Sequence, residues 1–146
     1  MPTILLTGAT GYIASHTWLS LLAAGFEVIG VDDFSNSSPV VLQRLQELSG
    51  KVPQFERASV CDAAAMQALF SRHRIDATVH FAAFKAVGES TQKPLDYYAN
   101  NIGGLVTMLL TKNKTELTED AQNRLDRIKK NVDAETDLIN ELLELS

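Results

Sequence analysis

The sequence predicts an α/β protein: a partial doubly wound parallel sheet of about four strands in the order 3-2-1-4, followed by a long C-terminal amphipathic helix. Three observations carry this. Short apolar runs alternate with helical patterns four times before residue 110, as parallel strands joined by right-handed crossovers require. A glycine pattern, Gly8-x-x-Gly11-x-x-Ala14, falls directly between the first strand and the first helix. Every glycine, every proline and every aromatic residue precedes position 111, so the remaining chain reads as helix alone.

Each element has a local reason. TILLT (3–7) is apolar enough for a buried strand, and residues 12–24 form a helix that Gly25 stops. EVIGV (27–31) is a second strand. Ser38 and Pro39 serve as N-cap and first-turn residue for a helix carrying Val41, Leu45 and Leu48, which Gly50 closes. QFERA (54–58) is a weaker strand, and Asp62 caps a helix whose Met66, Leu69 and Phe70 share one face. ATVHFAA (77–83) is the fourth strand; a polar loop follows, and Pro94 opens a helix to about Leu110. The division predicted is a domain over 1–110 and a helical tail over 111–146. In the tail, Leu125, Ile128, Val132, Ile139 and Leu142 recur on three- and four-residue steps, with Glu135 the polar intruder. Asn113 and Glu116 read as a capping box at its start. A coiled-coil seam and a helix packed on the body fit equally.

The bulk properties narrow the function. The chain has 146 residues, 45% hydrophobic and 21% charged, in keeping with one globular domain. A net charge of −5 without a basic block argues against a nucleic-acid partner. No apolar run approaches the ~18 residues of a membrane span. The opening MPTILLTGAT has no cationic leader, so no signal peptide and a cytoplasmic location are expected. Cys61 is the single cysteine, which excludes an internal disulfide and a cysteine-built zinc site.

The glycine pattern gains its meaning from position. At a strand-to-helix junction Gly8 permits the tight turn, Gly11 lets the backbone approach a pyrophosphate, and small Ala14 lets helix and strand pack closely. The helix N-terminus then offers N–H groups and the positive end of its dipole. Asp32 ends the second strand, where a carboxylate accepts from ribose hydroxyls and repels a 2′-phosphate, selecting NAD over NADP. An ordinary tight turn is the alternative for the glycines alone.

With these residues in hand, residues 3–110 resemble the N-terminal NAD-binding part of the UDP-glucose 4-epimerases, in the extended short-chain dehydrogenase/reductase superfamily with its Rossmann-like fold. The stretches that carry the resemblance are TGATGYIASHT (7–17), VDDFSNS (31–37) and HFAAFKAVGESTQKPLDYYANN (80–101). The tail has no part in it. The resemblance implies an NAD cofactor, with Gly8, Gly11, Tyr12 and Ile13 along its pyrophosphate and Asp32 and Asp33 beside the adenosine ribose. Asn36 and Ser37 would approach the same end. Phe81, Ala82, Ala83 and Lys85 would follow the cofactor across the sheet, with Lys85 near the nicotinamide ribose and Asn100 near the phosphates. A solvated loop lysine and a polar residue on an exposed helix turn are the alternatives for Lys85 and Asn100. The chain departs from the family after the third strand, where Ala58 and Ser59 replace Gly-Asp, which implies weaker adenine recognition.

The resemblance also implies chemistry that these residues do not complete. The epimerases oxidise a sugar hydroxyl through NAD and return the hydride to the other face, with a Tyr-x-x-x-Lys pair and a serine as acid–base groups. Here the tyrosines are Tyr12, Tyr97 and Tyr98, and four residues on stand His16, Asn101 and Ile102. No catalytic residue is therefore assigned, and the chain is expected to be inactive alone. His16 reads as a helix-packing residue, His80 as a satisfied core residue, His73 as a solvated helix end, and Cys61 as a small buried residue. No metal is predicted. The expected partner is a second copy, joined through the tail and the helix from Pro94, and a complementing chain stays open. The competing functional reading is a structural or self-associating protein in which the epimerase-like body is a relic.

Overall fold

The computed structural model describes residues 1–112 and 115–145, Val87 by its backbone alone. Four strands, β1 (Thr3–Thr7), β2 (Glu27–Asp32), β3 (Gln54–Arg57) and β4 (Ala77–His80), form one parallel sheet in the order β3-β2-β1-β4. The predicted order is the observed one. Leu6 stands opposite Gly30 on one side and Val79 on the other, and Thr7 opposite Val31 and His80. β1 is therefore central, and Ile4, Leu5, Leu6 and Thr7 are all buried, as a strand covered on both faces demands.

The chain divides into two compact units, Met1–Ser59 with Ala68–Ala82, and Val60–Gln67 with Ala83–Ser146. The first holds the sheet with α1 (Tyr12–Ala23) and α2 (Val40–Ser49); α3 (Ala63–Arg72) runs from the second into the first. Leu6, Ala9, Ala14, Trp18, Val28 and Leu45 form its core. Trp18 is fully buried over Gly30, where an added Cβ would lie 2.1 Å from the indole. Gly30 thus makes room for the indole. At roughly 150–250 Å² of buried aromatic surface and about 25 cal/mol per Å², that contact is worth several kcal/mol.

The second unit holds α4 (Val87–Gln92), α5 (Pro94–Tyr98), a π-helical stretch Ala99–Gly103, α6 (Gly104–Lys112) and α7 (Glu119–Glu144). Gly104 lets α6 come close to the chain at Val60, since a Cβ there would lie 2.9 Å from Val60 Cγ2. α7 packs on α5, the π stretch and α6, with Val132 buried against them. No helix among the described residues is long and apolar enough to cross a membrane.

Several expectations need correction. The fourth strand ends at His80, not at residue 83, because its partner β1 ends at Thr7, opposite His80. The expected polar loop before Pro94 contains α4. The helix from Pro94 is interrupted by the π stretch and continues to Lys112. α2 starts one residue late: Ser38 Oγ accepts from Val40 N at 3.3 Å, while Pro39 is the residue at the boundary. The last helix is capped by Thr118, whose hydroxyl accepts from Ala121 N at 3.2 Å; Glu119 and Asp120 then complement the helix dipole. Glu116 lies in the turn before it, and Asn113 falls outside the described residues. The tail stripe is divided between faces: Val132 is buried, whereas Ile128, Ile139 and Leu142 are exposed. Asp62 does cap α3, accepting from Ala65 N at 3.0 Å.

Candidate functional site

The loop after β1 is held from three directions. Gly8 has φ +62°, and a Cβ there would lie 2.7 Å from the backbone at both Phe81 C and Ala82 N. Only glycine meets both conditions. Gly11 N donates to Gly8 O at 3.0 Å, closing the turn. Gly11 is then the N-cap of α1 and brings no side chain to satisfy the first-turn N–H groups. Tyr12 and Ile13 stand exposed at this helix start, while Ala14 is buried in the core.

Asp32 supplies the third support. Its side chain is buried, and its carboxylate accepts from Thr10 N at 3.0 Å, Phe34 N at 2.9 Å and Ser37 Oγ at 3.3 Å. Thr10 Oγ1 and Ser37 Oγ are 2.6 Å apart, which ties the glycine loop to the segment after β2. A carboxylate has about four acceptor positions, so these bonds leave room for one further donor such as a ligand hydroxyl. Phe34 adopts φ +61°, a costly conformation for a bulky residue. Its ring is held by Phe55 at 5.2 Å and by the Arg57 guanidinium at 5.6 Å. Asp33 Oδ1 accepts from Ser35 N at 2.8 Å, and Asn36 is exposed.

Gly8, Gly11, Tyr12, Ile13, Asp32, Asp33, Asn36, Ser37, Phe81 and Ala82 thus gather beyond the C-terminal ends of β1, β2 and β4, within the first unit. That is where the strand order reverses and where open α/β sheets take ligands. Ala83, Lys85 and Asn100 belong to the second unit. There Lys85 is exposed, and half-buried Asn100 lies in the π stretch, donating to Asn101 Oδ1 at 3.0 Å. Asn101 brackets Phe84, accepting from its N at 2.8 Å and donating to its O at 3.0 Å. Sequence reasoning missed Thr10 and Phe34. The threonine beside two glycines was a usable signal, but the strained phenylalanine left none.

The other titratable groups are structural. Thr7 Oγ1 and His80 Nδ1 are 2.7 Å apart, a bond that a neutral ring makes as donor or acceptor according to its tautomer, and burial pulls the His80 pKa below its ordinary value. This agrees with the satisfied residue expected. His73 is not a solvated end: its Nε2 lies 2.8 Å from Glu56 Oε1, and Arg72 binds the other oxygen of that carboxylate. Burial pushes the Glu56 pKa up, but the hydrogen bonds and charges of Arg72 and His73 outweigh it and leave the group below its ordinary value. His16 is exposed and stacks edge-on with Tyr12 at 4.8 Å, so it does not pack into the core. Cys61 is exposed, not buried; its Sγ lies 3.8 Å from Ala99 O. The Tyr97 phenol is held above its ordinary pKa by desolvation and by Glu89, against any role as a base. Among the described residues no group of three or more His, Cys, Asp or Glu is placed to hold a metal.

Comparison with known proteins agrees with this geometry. The family model described as GDP-mannose 4,6 dehydratase matches residues 5–125. UDP-glucose 4-epimerase of Mus musculus is 48% identical over 115 residues, which are 75% of this chain and 33% of that protein. The crystal structure of UDP-glucose 4-epimerase from Bifidobacterium longum, in complex with NAD+ and UDP, superposes with a TM-score of 0.74 at 44% identity, covering 77% of this chain and 33% of that one. The enzyme from Stenotrophomonas maltophila, with bound NAD and formylated UDP-arabinopyranose, gives 0.76 at 38% identity, covering 81% and 35%. The chain spans about a third of the length of the relatives it matches. It belongs to the family described as GDP-mannose 4,6 dehydratase, and its matched span is similar to the N-terminal part of the UDP-glucose 4-epimerases.

Proposed function

We propose that this chain binds NAD as a Rossmann-type module and does not by itself turn over a sugar nucleotide. The observation that carries the reading is the joint hold on one loop: Gly8 fits only as glycine against Phe81 and Ala82, and Thr10 N is fixed by Asp32. A backbone so constrained presents the uncapped N-terminus of α1 to a pyrophosphate, with Gly11 leaving the approach open. The remaining acceptor position of Asp32 suits a ribose hydroxyl, and its charge opposes a 2′-phosphate. Bound NAD would supply the hydride acceptor. The relatives crystallised with NAD support the same cofactor. The proposed inactivity rests on the tyrosines, none of which is followed four residues later by lysine. A cytoplasmic location belongs to this reading, as the reducing compartment where exposed Cys61 stays a thiol.

Calorimetric titration with NAD and NADP tests it. Micromolar binding of NAD, and binding of NADP weaker by about tenfold or more, is the expected outcome. Folded protein that takes up no NAD at millimolar concentration would remove the reading.

A further inference from the structure

The outward side of α7 carries a second seam. Val132 faces the other helices of its unit, but Ile128, Leu138, Leu142 and Leu145 are 43%, 56%, 57% and 85% exposed. With Asn131 and Glu135 they follow the three- and four-residue steps of a heptad core. A helical segment gains most of its stability from tertiary packing, so such a face needs a cover.

The charges specify the cover. Between 124 and 130 stand Arg124, Arg127, Lys129 and Lys130 against Asp126 alone. From 133 to 144 there are five acidic residues and no basic one. A second helix in the same direction would set acid on acid. A reversed copy sets each acidic segment against a basic one. With Ile128 opposite Leu138, that reversed register also puts Asn131 opposite Glu135, an amide facing a carboxylate, and brings Arg127 beside Glu141. Arg124 is already paired with Asp120 within its own helix, so Arg127 is the more informative residue.

We infer that α7 pairs with α7 of a second copy of this chain as an antiparallel coiled coil, with Ile128 on Leu138 as its core, Leu142 on the apolar stem of Arg124 and Leu145 on Ala121 beyond it, and Arg127–Glu141 as its reciprocal ion pair. The inference is independent of the cofactor reading, which calorimetry tests separately.

Sedimentation equilibrium of the full chain decides it. The expected result is a dimer whose dissociation constant rises with salt. Arg127→Glu or Glu141→Arg alone creates two like-charge contacts per dimer and weakens it by about tenfold or more. Arg127→Glu with Glu141→Arg in one chain restores the wild-type constant, because each reversed charge again meets its opposite. Leu138→Ser with Leu142→Ser gives a monomer whose helical circular dichroism keeps unit structure intact. A wild-type monomer at high micromolar concentration overturns the inference, as does a dimer indifferent to the charge changes. Rapid self-crosslinking of Leu145→Cys in a Cys61→Ser background would overturn the antiparallel direction, since it brings like ends together.

Discussion

At the scale of single residues, backbone geometry decides more than side-chain chemistry. Gly8 is the clearest case: its positive φ and the backbone of Phe81 and Ala82 each exclude a Cβ. Gly8→Ala is expected to lower stability by about 2 kcal/mol or more, from the left-handed conformation and the added clash together. It should also abolish NAD binding, which urea unfolding and calorimetry would read side by side. The glycine was legible from its place after an apolar run. The bonds of Asp32 to Thr10 and Phe34 were not, since a carboxylate at a strand end announces a ligand as readily as an internal donor. Here it serves its own loop first.

At the scale of elements, boundaries follow hydrogen-bond supply. α7 begins where Thr118 offers an acceptor to Ala121 and two acidic residues follow. Thr118→Ala should cost about 1 kcal/mol, seen as a lower thermal midpoint of helical circular dichroism, and Thr118→Ser should recover most of it. The strand order was legible because buried parallel strands are apolar throughout and their crossovers follow one hand. The π stretch was not. It lies against α7 between α5 and α6, and no local signal in ANNIG marks it. The tail stripe is divided for a related reason: one periodicity runs over two faces, a packed one at Val132 and an open one at Ile128 and Leu142.

At the scale of the whole molecule, two buried or paired groups make stability depend on pH in separate windows. The His80 pKa is lowered from 6.5 in the folded state, so the unfolded chain takes up a proton first as pH falls. Its stabilising contribution is complete above pH 6.5 and is lost as pH drops from there through the folded value. The Glu56 pKa is lowered from 4.5, so its contribution is complete above pH 4.5 and lost only below. Urea midpoints from pH 8 to 3 should therefore fall in two stages, and His80→Gln should remove the first while leaving the second.

The central position of β1 has a consequence for how the chain is made. Thr7 meets His80 across 73 residues of sequence, whereas β2 follows β1 after a single helix. At about 5–20 residues per second on the ribosome, β1 and β2 can pair while β4 is still unsynthesised for roughly 2 to 10 s. Through that interval the apolar inner strand of the finished sheet is its outer edge, open to any other strand in reach. That wait would shorten with a shorter connection between β2 and β4, whatever the stability of the finished protein.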